Sequence, residues 1–376
     1  MSRRMLPLLA AAAAGCLVLS ACTSPSPSPT SLPPAPTASS STTAGPVQPV
    51  GAPRILAQGL AAPWSILRLG DADSTLISER DSGTVRELTA AGELRDVGVV
   101  AGVVHQGEGG LLGLEVLRTS NQTWLYAYLT TASDNRIERM PLTGSPGAYA
   151  LGSPQTVLDG LAKAGNHDGG RIKFGPDSML YATVGDAGQP SRAQDASSRG
   201  GKILRMTATG GVPADNPTRG SLVYSMGHRN PQGLAWDAAG QLWAAEFGQN
   251  TWDELNRIEP GANYGWPIVE GIGGRSGFVD PLYQWPTSDA SPSGLAFVDG
   301  TFFLAALRGE RLWAISPATS APPVAFLGGT FGRLRDAVPG PHGTLWLLTN
   351  NTDGRGTLHQ GDDKLIELRL APVSSG

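Results

Sequence analysis

Between about residue 60 and residue 370 the apolar positions come in short blocks closed by glycine, proline or aspartate, and long stretches of helical spacing are absent. The clearest series is Gly233-Leu234-Ala235-Trp236, a turn at Asp237 to Gly240, Leu242-Trp243-Ala244-Ala245, and then Glu254-Leu255-Asn256-Arg257-Ile258. A second series runs Arg171-Ile172-Lys173-Phe174, Gly175-Pro176-Asp177, Leu180-Tyr181-Ala182-Thr183-Val184 and Lys202-Ile203-Leu204-Arg205. Further copies begin near Trp64, Leu111, Gly294 and Leu334, and the last of these closes with Leu365-Ile366-Glu367-Leu368. Six copies spaced by roughly 40 to 60 residues fit four short strands per unit. The pattern predicts an all-β, six-bladed β-propeller with four-stranded antiparallel blades over residues 54–372. A large β-sandwich is the structural alternative.

The N-terminal residues follow a different plan. Arg3 and Arg4 precede an apolar run from Leu6 to Leu19, and Leu19-Ser20-Ala21-Cys22 has the form of a lipoprotein cleavage box. Residues 1–21 are expected to be a lipoprotein signal peptide, with Cys22 the lipidated residue. An ordinary signal peptide with an incidental Cys22 is the plainer alternative. Residues 22–53 are rich in Ser, Pro and Thr and carry no charge, so they are expected to form a disordered tether. The product would be an exported body held at the outer face of a membrane by a lipid anchor alone.

Gly 50 and Pro 30 with 40% hydrophobic residues describe a turn-rich globular chain. Without Arg3 and Arg4, 26 basic residues face 32 acidic ones, a formal −6. That balance argues against nucleic acid as a partner. The only cysteines are Cys16 and Cys22, so the body has neither disulfides nor thiolate metal ligands.

Polar chemistry is concentrated in the loops between blocks. These are Gln106-Gly107-Glu108-Gly109-Gly110, Asn166-His167-Asp168-Gly169-Gly170, Gly227-His228-Arg229-Asn230-Pro231-Gln232-Gly233, Trp285-Pro286-Thr287, and Arg308 with Arg333-Leu334-Arg335-Asp336. Arg229, Arg308, Arg333 and Arg335 occupy four loop positions, and His167 is the natural proton acceptor. Alternation puts Arg333 and Arg335 on one face, which suits a polyanionic ligand. Each such residue alone is more often a surface or structural group. In a propeller, however, loops of separate blades converge at one channel mouth.

The ordered motifs Gly-x-Gly-Gly-Leu-Leu-Gly, His-x-Gly-Gly-Arg, Gly-Lys-Ile-Leu-Arg, Gly-His-Arg-Asn-Pro-Gln-Gly, Asn-Tyr-Gly-Trp-Pro, Trp-Pro-Thr and Arg-x-Arg-Asp span the body. Together they resemble the soluble PQQ-dependent aldose (glucose, sorbosone-type) dehydrogenases. The resemblance implies a six-bladed propeller with pyrroloquinoline quinone (PQQ) over the channel mouth. It implies His167 as general base and Arg229 with Asn230 as cofactor contacts, Arg229 polarising the reactive carbonyl. Glu108, Arg308, Arg333 and Arg335 fall on further cofactor-contacting positions, and Trp285 and Thr287 on residues flanking the cofactor plane and a carboxylate. Gly248 and Gln249 fall where two backbone carbonyls bind Ca²⁺.

The implied reaction removes hydride from the anomeric carbon of an aldose while His167 takes the hydroxyl proton, giving a lactone. The reduced cofactor then passes electrons to an acceptor, a quinone, a cytochrome or a dye. Four positions depart from the glucose-oxidising members: Glu108 replaces Gln, Asn166 replaces Asp, Gln249 replaces Pro and Arg308 replaces Lys. The loop between Tyr264 and Trp285 is also much shorter. Two other readings are a lipid-anchored, non-catalytic propeller that binds carbohydrate or a protein partner, and a Ca²⁺-dependent lactonase-type hydrolase. The second usually needs acidic and Asn ligands where this chain has arginines.

Overall fold

The computed structural model describes residues 45–70, 74–319 and 321–373. The leader at 1–21, Cys22 and the tether up to residue 44 lie outside the described residues. Among the described residues no helix is long and apolar enough to cross a membrane.

Six antiparallel sheets are arranged as the blades of a β-propeller. Their first strands are Pro63–Arg68, Leu111–Arg118, Ile172–Phe174, Pro231–Trp236, Pro292–Val298 and Leu334–Pro339. These strands pack against one another around the axis, and the later strands of each blade lie progressively farther out. The second blade has a fifth short strand, Ala150–Leu151, paired with Asn135–Thr143. Each blade is covered on both faces by its neighbours. Central strands such as Leu180–Val184 and Leu242–Glu246 are therefore buried along their whole length and read as continuous apolar runs. The core lies between blades: Tyr181, Ile203, Leu234 and Leu242 fill one interface, and Trp243, Leu255, Leu295 and Phe302 the next.

The ring closes where the chain begins. Val47–Gln58 pairs antiparallel with Lys364–Pro372, from Val47 opposite Pro372 to Gln58 opposite Lys364, with register shifts between Val50 and Arg54 and between Ile55 and Ala57. The expected tether boundary at residue 53 is therefore too late, because residues 47–53 are the outer strand of the last blade. Local composition gives no sign of this, since the hydrogen-bonding partner lies more than 300 residues away. Val47 is buried, and its N–H and carbonyl both meet Thr301 Oγ1 at 2.9 Å. Pro49 is tolerated because the strand is an edge.

Alternating strand direction fixes which loops meet. Loops entering each first strand, and loops joining second to third strands, emerge on the same face of the ring. Glu108, His167, Arg229, Asn230, Arg308, Arg333 and Arg335 are gathered there.

Candidate active site

A cavity of about 580 Å³ opens on that face. The loops entering first strands contribute Glu108, His167, Arg229, Asn230 and Arg333 to its wall, and the loops after second strands contribute Gly248, Arg308 and Arg355. Arg335 enters from the last blade's first strand, and Trp64 from the first blade's. Trp64 is buried, with the guanidinium of Arg171 4.3 Å from its ring centroid and that of Arg335 at 5.9 Å.

His167 sits in the left-handed backbone region at φ 59°, a conformation costing roughly 1–3 kcal/mol in a non-glycine residue. Three contacts hold it there. Its N–H donates to Glu108 Oε2 at 2.8 Å, its carbonyl accepts from Ala187 at 3.2 Å, and a Cβ on Gly185 would come 1.9 Å from that carbonyl. The imidazole is fixed from the other side, with Nδ1 2.7 Å from Asp186 Oδ1. Asp186 also accepts from Gly188 N–H and from Trp266 Nε1, both at 2.8 Å. Burial opposes its charge, but the bonds from His167, Trp266 and Gly188 outweigh it and hold the carboxyl below its usual range. An ionised Asp186 keeps the proton on Nδ1 and leaves Nε2 as the acceptor, with only the Asn166 amide nearby, at 3.4 Å.

Glu108 thus has protein partners of its own. Besides the His167 amide, its Oε1 lies 3.6 Å from Arg355 Nη1, so a carboxylate at this position is compensated by the chain.

The arginines differ in how much of their hydrogen-bonding capacity is engaged. Arg335 donates to Asn350 Oδ1 at 2.8 and 3.1 Å and to Gln232 Oε1 at 2.9 Å, and burial pushes its pKa down to about 9. Asp353, on the same face, draws Arg333 Nη2 to 3.3 Å and Arg335 Nη2 to 3.8 Å. The Nε of Arg333 has no partner. Arg229, half-buried, is less engaged than Arg335. Nη1 reaches only the Phe247 carbonyl at 3.4 Å, Nε is buried without a partner, and burial lowers its pKa. Asn230 Oδ1 accepts from Gly169 N–H at 3.0 Å, tying two blades together at the mouth. Arg308 is exposed at the rim.

The Gly227–Gly233 loop owes its rigidity to His228. This ring is fully buried, stacks on Tyr264 at 4.8 Å, and links Ser225 Oγ to Glu246 Oε2, each at 2.8 Å. Glu246 Oε1 also accepts from the Arg229 backbone N–H.

Trp285 and Thr287 are not brought into the cavity wall. Trp285 lies on Tyr283–Pro286, the outermost strand of the fourth blade, and its indole packs in the interface core 5.7 Å from Trp313. Thr287 follows in the loop to the next blade. Gly248 lines the cavity, whereas Gln249 is exposed beside it. Among the described residues no group of three or more His, Cys, Asp or Glu side chains is placed to hold a metal ion, so a cation here would depend on backbone oxygen.

Asp186, Asp353 and Arg355 are among the site residues that sequence reasoning did not single out, and Trp266 lies in a quoted motif without an assigned role. Asp186 and Asp353 each lie shortly after the second strand of a blade. Their common position in the repeat, on the face shared with His167 and Arg333, is the signal that could have found them.

Comparison with known proteins places this geometry in context. Residues 60–360 match the family described as Glucose / Sorbosone dehydrogenase. The PQQ-bound form of aldose sugar dehydrogenase from Streptomyces coelicolor is 50% identical, with a TM-score of 0.82 over 88% of this chain and 99% of that one. Aldose sugar dehydrogenase YliI of Escherichia coli is 30% identical over 80% of this chain and 90% of its own length. An uncharacterized protein of Synechocystis is 32% identical over 79% of this chain and 83% of its own.

Proposed function

The chain belongs to the glucose/sorbosone dehydrogenase family, and from that premise we propose that it is a PQQ- and calcium-dependent aldose dehydrogenase producing a lactone. The observation that carries the reading is the meeting of His167, backed by Asp186, with arginines whose buried donors lack protein partners. Unpartnered guanidinium N–H groups in a cavity of about 580 Å³ suit a planar polycarboxylate. PQQ fits that donor set, and Arg229, Asn230, Arg308, Arg333 and Arg335 would hold it. Calcium fits the turn at Gly248 and Gln249, whose carbonyls meet no donor among the described residues. When bound, PQQ supplies the hydride acceptor.

The chain's own residues supply the rest. Asp186 holds the imidazole with its proton on Nδ1, so Nε2 of His167 can take the proton of an anomeric hydroxyl. Glu108 fixes the strained His167 backbone and is balanced by Arg355. Asp353 restrains Arg333 and Arg335, so the guanidinium groups are set before a ligand arrives. The reading is tested by reconstituting the purified protein with PQQ and CaCl₂ and following dye reduction with a panel of aldoses. Saturable PQQ uptake and aldose-dependent reduction are expected; failure to take up PQQ would sink it. The lipoprotein leader and attachment at Cys22 are proposed on the sequence alone, and mass analysis of the N-terminal peptide from membranes would check them.

A further inference from the structure

The turn after the fourth blade's second strand is organised by a single carboxylate oxygen. Glu270 Oε1 accepts from the N–H groups of Gln249 at 2.7 Å, Asn250 at 3.2 Å, Thr251 at 3.1 Å and Trp252 at 3.2 Å. The preceding amide, Gly248 N–H, donates to Asp253 Oδ1 at 2.8 Å. Packing is so close that a Cβ on Gly248 would come 1.8 Å from the Trp252 carbonyl and 2.8 Å from Glu270 Oε1. Burial works against a charge on Glu270, but the four amides outweigh it and hold the carboxyl below its usual range.

Peptide planarity turns this amide cluster into a statement about carbonyls. In a trans peptide the C=O of one residue points opposite to the N–H of the next. The N–H groups of Gln249 and Asn250 point at Glu270, so the carbonyls of Gly248 and Gln249 point away from it. Neither carbonyl meets a donor among the described residues. Hydrogen bonding of a peptide N–H to an ionised carboxylate also polarises its carbonyl, which strengthens that oxygen as a ligand for a hard cation.

We infer that Glu270 is a positioning residue for a calcium-class cation, gathering the amides of the turn so that the Gly248 and Gln249 carbonyls face the ion together. Glu270 is not itself a ligand, and the inference rests on the calcium reading above. The role accounts for a charged side chain in the Tyr264–Trp285 connection whose hydrogen bonds come from backbone amides.

The experiment is a calorimetric titration of CaCl₂ into wild-type protein and E270Q, each in excess PQQ, with the thermal midpoint of both measured without calcium. E270Q keeps the size of the side chain and one carbonyl acceptor, so it should fold. Calcium affinity is expected to fall by about 10- to 100-fold, the usual effect of removing a group that orients metal ligands, with a small change in midpoint. Equal calcium affinities overturn the inference, including the case in which E270Q merely lowers the midpoint. If wild-type protein takes up PQQ but no calcium, the inference and the calcium part of the functional reading fall together, and the PQQ part stands.

Discussion

Nδ1 of His167 stands 2.7 Å from Oδ1 of Asp186, a carboxylate with no exposed surface. Every group around Asp186 is a donor: His167 and Gly188 meet Oδ1, and Trp266 meets Oδ2. Asp186→Asn therefore forces an amide N–H against a donor, whichever way it is placed. The imidazole loses its fixed tautomer, and turnover is expected to fall by about 10²- to 10⁴-fold. PQQ affinity should stay close to wild type, because Asp186 has no exposed surface and meets His167 from behind the ring. Steady-state kinetics beside a PQQ titration check this, and unchanged turnover refutes the assignment.

Arg229 is the sharper probe of cofactor recognition. Its buried, unpartnered Nε makes the guanidinium a liability in the empty cavity. Arg229→Ala should leave the apo thermal midpoint unchanged or higher. It should weaken PQQ binding by about 100-fold, the equivalent of losing one or two charge-assisted hydrogen bonds. An absorbance titration with a melting curve reads both, and wild-type affinity in the variant would remove Arg229 from the cofactor site.

The propeller is legible because blade burial leaves a repeated mark. Leu234, Leu242 and Leu255 fall in one unit where Ile172, Leu180 and Ile203 fall in another, and turns of Asp, Gly and Pro separate them. Site residues directly before first strands, such as His167, Arg229 and Arg333, are legible because glycine-flanked charges there have no role in a core. Partners brought in by tertiary contact leave no local trace. Asp353 meets Arg333 across 20 positions and Asp186 meets Trp266 across 80. The strand Val47–Gln58 is hidden for the same reason, its pairing with Lys364–Pro372 being long-range. The packing of Trp285 is not legible either, because a motif specifies residue order, whereas strand position and facing decide what an indole touches.

Acid titration should expose Asp168, the neighbour of His167. It is buried, Oδ1 accepts from Asn135 Nδ2 and Ala164 N–H, and Oδ2 has no partner. Burial raises its pKa from 3.8 to about 6, with Asn135 and Ala164 partly offsetting the effect. The folded pKa exceeds the unfolded one, so the native state binds more protons between these values. Stability contributed by this group is therefore full below about pH 4 and is lost as pH rises to about 6, by roughly 2–3 kcal/mol in total. Asp168→Asn does not titrate, so its stability relative to wild type should increase by that amount across the window. Urea unfolding of both proteins from pH 4 to 7 measures the difference, and parallel pH profiles would refute the shift.

Trp285 separates what a motif implies from where a strand puts it. The indole is 6% exposed, stacks on Tyr283 and meets Trp313 at a tilt, in a cluster with Trp243 and Leu295. Truncating a large buried aromatic costs about 3–5 kcal/mol, so Trp285→Ala should lower the thermal midpoint strongly. Trp285→Phe keeps most of the packing and should lower it less. In both variants PQQ affinity, measured where the protein is fully folded, should match wild type, and the absorbance of the bound quinone should not shift. A selective loss of PQQ affinity in Trp285→Phe, with its midpoint unchanged, would instead return this residue to the cofactor site.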